Sequence, residues 1–225
     1  MQGLTKNTEK IFEEISKLDC IKDYTLIGGT AISLQIGKRQ SEDLDFCKWS
    51  TNLKTDNPTV DWPQIQKQLE TIGKVDKTNV LGFDQVNFVV NDVKMTFMTL
   101  PKRLSPVNEH VPILNNIKAA DLDSLGSMKV DLILRRSNFR DYYDIYSLLK
   151  EGNSLKTMVD GASKYSNHTL KTRDALNFLV NGSNYKKGKD FDLLKPVYDI
   201  TSKGIEDLIK SAIKIEYPLI IPLGL

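Results

Sequence analysis

Histidine, cysteine and tryptophan are scarce in this chain, with two of each among 225 residues. Cys20 and Cys47 stand far apart in no metal-like spacing. With only His110 and His168 to join them, a zinc site is not expected. Two lone cysteines point to a reducing compartment, and Cys47 reads as a small core residue. Charge of one sign is also missing: the net charge is +2, which gives no global nucleic-acid footprint. Residues 1–100 carry 12 basic and 14 acidic side chains, and residues 101–225 carry 19 and 15. That asymmetry permits a basic face on the C-terminal half without showing one. No signal-peptide pattern and no run of 18 apolar residues occurs; the terminal YPLIIPLGL is short and carries two prolines. A cytoplasmic protein with no membrane partner is expected. The hydrophobic fraction of 40% and charged fraction of 27% are ordinary for a globular chain. The length suits one sizeable domain or two small ones.

What the sequence does contain is concentrated in Tyr24–Trp49, YTLIGGTAISLQIGKRQSEDLDFCKW. It reads as a strand over Tyr24–Ile27, a glycine turn at Gly28-Gly29, a short helix over Thr30–Gln35, a basic loop and a second strand over Asp43–Cys47. Side chains alternate across a strand, so Asp43 and Asp45 share one face while Leu44 and Phe46 point to the other. Same-face neighbours lie roughly 6.5–7 Å apart, close enough for two carboxylates to hold Mg²⁺. The glycine turn lets backbone approach a phosphate, and the helix N-terminus offers unpaired N–H groups to its oxygens. Lys38 and Arg39 precede the carboxylates either as solvated loop charges or as phosphate contacts. Ser41 either starts the strand or orients nucleotide or metal-bound water. The bland alternative for the whole stretch is a strand–turn–helix that ends on an acidic strand.

Ile27-Gly28-Gly29-Thr30, twelve residues and then Asp43-Leu44-Asp45 resembles the signature of polymerase-β-like nucleotidyltransferases. The longer form, GGTAISLQ through R-x-S-x-D-L-D-F, is similar to the AbiE-type toxin nucleotidyltransferases of bacterial abortive-infection and toxin–antitoxin systems. The resemblance implies phosphate binding by Gly28, Gly29 and Thr30, with Arg39 and Ser41 beside them, and Mg²⁺ held by Asp43 and Asp45.

Around this stretch, residues 5–18 predict an amphipathic helix with Ile11, Ile15 and Leu18 on its apolar side. Residues 49–60 are polar and predict a surface loop. Asp61 is a plausible cap for a helix with Pro63 in its first turn, an apolar stripe of Ile65, Leu69 and Ile72, and Gly73 at its end. Phe83–Val90 and Val93–Thr99 flank Asn91-Asp92, a two-residue turn suited to a β-hairpin. In the second of these strands Thr96 stands where many members of the superfamily carry a third metal-binding carboxylate. A hydroxyl cannot replace that charge. The abortive-infection branch, as the resemblance implies, tolerates the loss and uses a lysine and an aspartate from the C-terminal half. Pro101–Pro112 reads as a loop.

A helix is expected from about Asp121 to Arg136, with Leu122, Leu125, Leu132 and Ile133 in one stripe and Lys129 in the middle of it. A lysine there either snorkels to solvent or meets a phosphate or the Asp43/Asp45 pair. Asn138 then caps a helix, FRDYYDIYSLLK, in which Asp141 sits in the favourable first turn. Lys129 matches the lysine of the AbiE-like third motif. Arg136, Arg140, Asp141, Asp144, Leu148 and Leu149 resemble the fourth, in which the first aspartate is the functional one. Tyr142, Tyr143 and Tyr146 read as core rather than as a base-stacking platform. Leu155–Tyr165, Thr169–Val180 and Ile205–Ile215 predict further helices, with a polar loop over 181–190.

The expected fold is α+β: a mixed-sheet nucleotidyltransferase core over residues 1–115, then a helical domain over 116–225 that completes the cleft. The expected function is Mg²⁺-dependent transfer of a nucleotidyl group from an NTP to an acceptor hydroxyl, with a tRNA 3′ end the first acceptor to name. Lys129 would contact phosphate and Asp141 would act as a base or orienting group. A cognate antitoxin is the implied protein partner. Two rivals stand beside this reading: a degenerate protein that binds nucleotide or a partner without catalysis, and a small-molecule nucleotidyltransferase of the antibiotic-modifying type.

Overall fold

A computed structural model describes residues 1–50, 59–166 and 170–219. It divides into two compact units, Met1–Asp121 and Leu122–Leu225. The first contains α1 (Lys6–Ser16), β1 (Thr25–Ile27), α2 (Gly28–Ile36), β2 (Leu44–Ser50), α3 (Trp62–Leu69), β3 (Val75–Val80), β4 (Gln85–Val90), β5 (Val93–Pro101), β6 (His110–Leu114) and β7 (Ile117–Ala120). The strands form one sheet in the order β3-β4-β5-β2-β1-β7-β6. β2 runs parallel to β5 and β1 parallel to β7, while the remaining pairs are antiparallel. The sheet is therefore mixed, as the α+β expectation required. Most of the expected 49–60 loop, His168 and the last six residues lie outside the described residues.

Alternation along the strands sorts the sheet into two faces. Leu26, Leu44, Phe46, Val86, Phe88, Met95 and Phe97 are all at most 1% exposed and form its core side. Phe97 lies at the centre, stacked on Phe46 at 5.2 Å and edge-on to Tyr24 at 5.3 Å and Phe88 at 5.9 Å. Burying such side chains stabilises by about 1.5–3 kcal/mol each. α1 buries Ile11 and Ile15 as its helical spacing predicts, with Phe12 beside them; the helix ends at Ser16, so Leu18, expected on the same stripe, lies beyond it and is only half-buried. The opposite face carries a polar row, because Asp45 pairs with Thr96 on β5 and Thr96 with Asn87 on β4.

The β4–β5 hairpin turns through Asn91 and Asp92 at φ 48° and 65°, the left-handed pair a type I′ turn demands. The Asn91 side chain also accepts a bond from the Lys74 amide at 3.2 Å. Asp61 caps α3 by accepting from the Gln64 amide at 3.3 Å. The expected loop over Pro101–Pro112 needs correction, because its end belongs to a second hairpin, β6–β7. β6 lies at the sheet edge, where the missing N–H of Pro112 is tolerated, and Asn115 turns the chain at φ 47°. This hairpin carries the first unit past the expected boundary at 115 to Asp121.

The second unit is helical: α4 (Leu122–Ile133), α5 (Phe139–Lys150), α6 (Leu155–Tyr165), α7 (Thr172–Leu179) and α8 (Ser202–Glu216). α4 stops short of Arg136, and the expected start of α7, Thr169, lies outside the described residues. Asn138 caps α5 by accepting from the Arg140 amide at 2.9 Å. Glu216, from the end of α8, accepts from the Leu155 and Lys156 amides at the start of α6. Small residues let α4 and α6 approach closely: a Cβ on Gly126 would meet Met158, and one on Gly161 would meet Ser127. The tyrosines of α5 are core. Tyr142 stacks on Tyr185 at 4.2 Å and donates to the Leu179 carbonyl, and Tyr143 packs edge-on against Phe191 at 5.0 Å.

Candidate active site

In the first unit the site residues come from one excursion of chain between β1 and β2. The two glycines do not form a separate turn; they are the first turn of α2, which starts at Gly28 with no side-chain cap from Ile27. A helix N-terminus presents N–H groups and its positive dipole end, a favourable place for an anion. Gly28 has φ 74°, a conformation that side-chain-bearing residues rarely adopt. A Cβ there would also lie 2.8 Å from Asp45 Oδ2, so the carboxylate sits directly over the bare backbone. A Cβ on Gly29 would collide with the Arg39 guanidinium and press on Ser41 Oγ at 3.3 Å. Arg39 is only 6% exposed and donates to the Gln40 carbonyl at 2.9 Å. Two sources of positive potential, the α2 N-terminus and Arg39, thus meet at Gly29.

Asp43 stands one residue before β2 rather than inside it, but the alternation holds: Leu44 and Phe46 are buried while Asp43 and Asp45 are partly open. Thr30 is 1% exposed, and its hydroxyl is bonded to Ser41 Oγ at 2.9 Å and to the Asp43 carbonyl oxygen. With one proton to give and a carbonyl that only accepts, Thr30 donates to Asp43 and accepts from Ser41. Its side chain therefore ties α2 to the acidic segment. The N-terminal residues hold the same loop from behind. The Ser41 amide donates to the Gly3 carbonyl at 2.9 Å, Thr5 N to the Ser41 carbonyl at 3.1 Å, and Thr8 Oγ1 to the Glu42 carbonyl at 2.7 Å. Sequence reasoning missed this strap, because Gly3 and Thr8 carry no pattern of their own. Thr96 lies beside Asp45 in register and so shares its face, as expected for the third-carboxylate position.

The second unit gathers the other expected residues. Lys129 on α4 is 3% exposed, so it does not snorkel. Its ammonium lies 2.6 Å from Asp141 Oδ1 and 2.7 Å from Asp144 Oδ2, both on α5. Arg136, in the α4–α5 connection, donates through Nε to Asp141 Oδ2 at 2.8 Å and through Nη2 to Oδ1 at 3.2 Å. Burial pushes the Asp141 carboxyl up, but the Lys129 charge and the hydrogen bonds from Arg136 and Lys129 outweigh it and hold it below the ordinary carboxylate range. Asp144 was passed over in the sequence in favour of Asp141. The available signal was the D-x-x-D spacing, which places both carboxylates on one side of a helix.

Comparison with known proteins identifies the family. The model of the family described as "Nucleotidyl transferase AbiEii toxin, Type IV TA system" matches residues 10–193. The uncharacterized protein aq_aa25 of Aquifex aeolicus (strain VF5) is 28% identical over 159 residues, covering 70% of this chain and 73% of that protein. Among solved structures, the nucleotidyltransferase toxin MenT4 of Mycobacterium tuberculosis H37Rv is similar at a TM-score of 0.47 and 13% identity, over 85% of this chain and 74% of that one. The Megavirus polyadenylate synthase is similar at 0.44 and 16%, over 65% of this chain and only 33% of the viral one. The family match spans most of the chain. The chain belongs to the AbiEii nucleotidyltransferase toxin family of type IV toxin–antitoxin systems.

Proposed function

We propose that this nucleotidyltransferase uses Mg²⁺ to move a nucleotidyl group from an NTP, ATP among the candidates, onto an acceptor hydroxyl. A tRNA 3′ end is the first acceptor to test. We further propose that a cognate antitoxin restrains the activity and that the protein works in the cytoplasm. The observation that carries this reading is the Asp45 carboxylate lying over Gly28 at the N-terminus of α2. Charge to hold a metal and N–H groups to hold a phosphate then face the same point.

The residues present fit magnesium in a particular way. Among the described residues no group of three His, Cys, Asp or Glu side chains converges on one point. Two carboxylates suit Mg²⁺, which commonly takes one or two of them and fills its octahedron with water and substrate phosphates. Asp43 and Asp45 would hold it, and when bound it would neutralise charge on the transferring phosphate. Gly28 and Gly29 offer backbone to the triphosphate, and Arg39 adds a fixed positive charge beside them. Thr30 and Ser41 keep Asp43 in place relative to α2. Lys129, in the helical unit, is proposed as a phosphate contact. In-line displacement depends on such positioning and charge neutralisation more than on covalent help from the protein.

The test is incubation of purified protein with Mg²⁺, each labelled NTP in turn and total RNA, followed by a denaturing gel. The reading expects label on small RNA, lost on chelation of the metal. Label that appears only on a small-molecule fraction, or on nothing at all, would contradict it.

A further inference from the structure

Asp141 is 2% exposed, and its two oxygens accept three hydrogen bonds from cationic side chains. Oδ1 accepts from Lys129 at 2.6 Å and from Arg136 Nη2 at 3.2 Å, while Oδ2 accepts from Arg136 Nε at 2.8 Å. A guanidinium gripping a carboxylate with two nitrogens is the strong, directional form of this pair. A general base needs the opposite: an oxygen aimed at the acceptor hydroxyl and a proton affinity near that of the working medium. We infer that Asp141 serves as an ion-pair anchor for Lys129 and not as the base of the reaction, and that Asp144 and Arg136 are positioning residues of the same anchor.

The cluster explains how a lysine can be buried on the apolar stripe of α4. Lys129 and Arg136 bring two positive charges, and Asp141 and Asp144 bring two negative ones, so the four sum to zero. Asp141 and Asp144 lie three residues apart on α5 and close on the ammonium from two directions. A free lysine chain loses much rotamer freedom when it engages a ligand; this one is already fixed. Arg136 lies on the outside of the cluster, with its side chain 55% exposed, and holds Asp141 from the solvent side. The proton-accepting role considered for Asp141 thereby passes to some other group, and the aspartate acts through Lys129.

This inference rests on the proposed contact between Lys129 and a nucleotide phosphate. Its test separates nucleotide binding, measured by equilibrium titration with labelled ATP, CTP, GTP and UTP, from turnover. Asp144→Asn and Asp141→Asn should each weaken binding of the preferred NTP about tenfold and change kcat by less than about threefold. Arg136→Gln alters an exposed side chain and should fold normally; it should weaken binding about threefold. Circular dichroism checks each fold, and the Arg136 variant decides if the buried ones fail. A base lost in Asp141→Asn would instead lower kcat about 10²–10⁴-fold at unchanged nucleotide affinity, overturning the inference. Unchanged affinity in folded Asp144→Asn or Arg136→Gln would overturn it too. The paired change Lys129→Met with Asp144→Asn removes one charge of each sign. If that pair binds NTP normally, the proposed Lys129–phosphate contact fails, and this inference with it. If the pair is impaired but Asp144→Asn and Arg136→Gln are not, only this inference fails.

Discussion

At the scale of the residue, Asp45, Gly28 and Asp141 carry the sharpest consequences. Asp45→Ala should fold normally and lose about 10³-fold in metal-dependent turnover, read as initial rates at saturating Mg²⁺. Gly28→Ala meets a positive φ and a carboxylate oxygen at 2.8 Å. It should cost about 1–3 kcal/mol in thermal melts and lower nucleotide affinity at least tenfold, since the new methyl pushes Asp45 off the helix end. Asp141 links folding to pH. Its folded-state carboxyl titrates below its unfolded value of about 3.9, so its stabilisation is present above that value and fades as pH falls through the folded one. Acid melts should show a fall in stability below about pH 4 that is shallower in Asp141→Asn. Asp43 and Asp45 were legible in the sequence because a period of two places them on one face whatever the tertiary fold. Lys129 was legible as the third-motif lysine and as an anomaly: a cation in an apolar stripe announces that it has a partner without saying which. Its observed carboxylates, Asp141 and Asp144, required the side-chain geometry of two helices.

At the scale of the element, the two hairpins of the sheet show what a local pattern can and cannot declare. Asn91-Asp92 between alternating strands declares its turn, because few residue pairs accept two left-handed conformations in sequence. Asp92→Gly removes the steric cost of that conformation and should raise stability by about 0.5–1 kcal/mol, measured as a higher melting temperature. Asn91→Gly should not help, because it deletes the bond to the Lys74 amide. The β6–β7 hairpin was not legible. Its strands are short, and Pro112 argues against a strand unless the strand is known to lie at an edge. α2 was partly legible: the glycines marked close backbone approach, but a turn before the helix and the helix's own first turn look alike in sequence. The α4–α6 crossing adds a packing test. Gly161→Val would drive a branched side chain into Ser127 and should destabilise the helical unit by about 1–3 kcal/mol, visible as a lower melting midpoint.

At the scale of the whole molecule, a sheet-bearing unit and a helical unit each hold part of the residue set that the motifs singled out. The first offers Asp43 and Asp45 beside the Gly28–Gly29 helix start; the second holds a charge-balanced lysine cluster. Length and composition bounded this division, but placing its edge needed the β7 pairing with β1, a contact distant in sequence. Family membership gives the reaction class, nucleotidyl transfer, in which the α-phosphate moves with its nucleoside. Parallel reactions with α-labelled and γ-labelled NTP, Mg²⁺ and total RNA test that claim most directly. Wild-type protein should place the α label on an acceptor and release the γ label as pyrophosphate, and Asp45→Asn should do neither. Transfer of the γ label to the acceptor, or equal α-label transfer by wild type and Asp45→Asn, would contradict it.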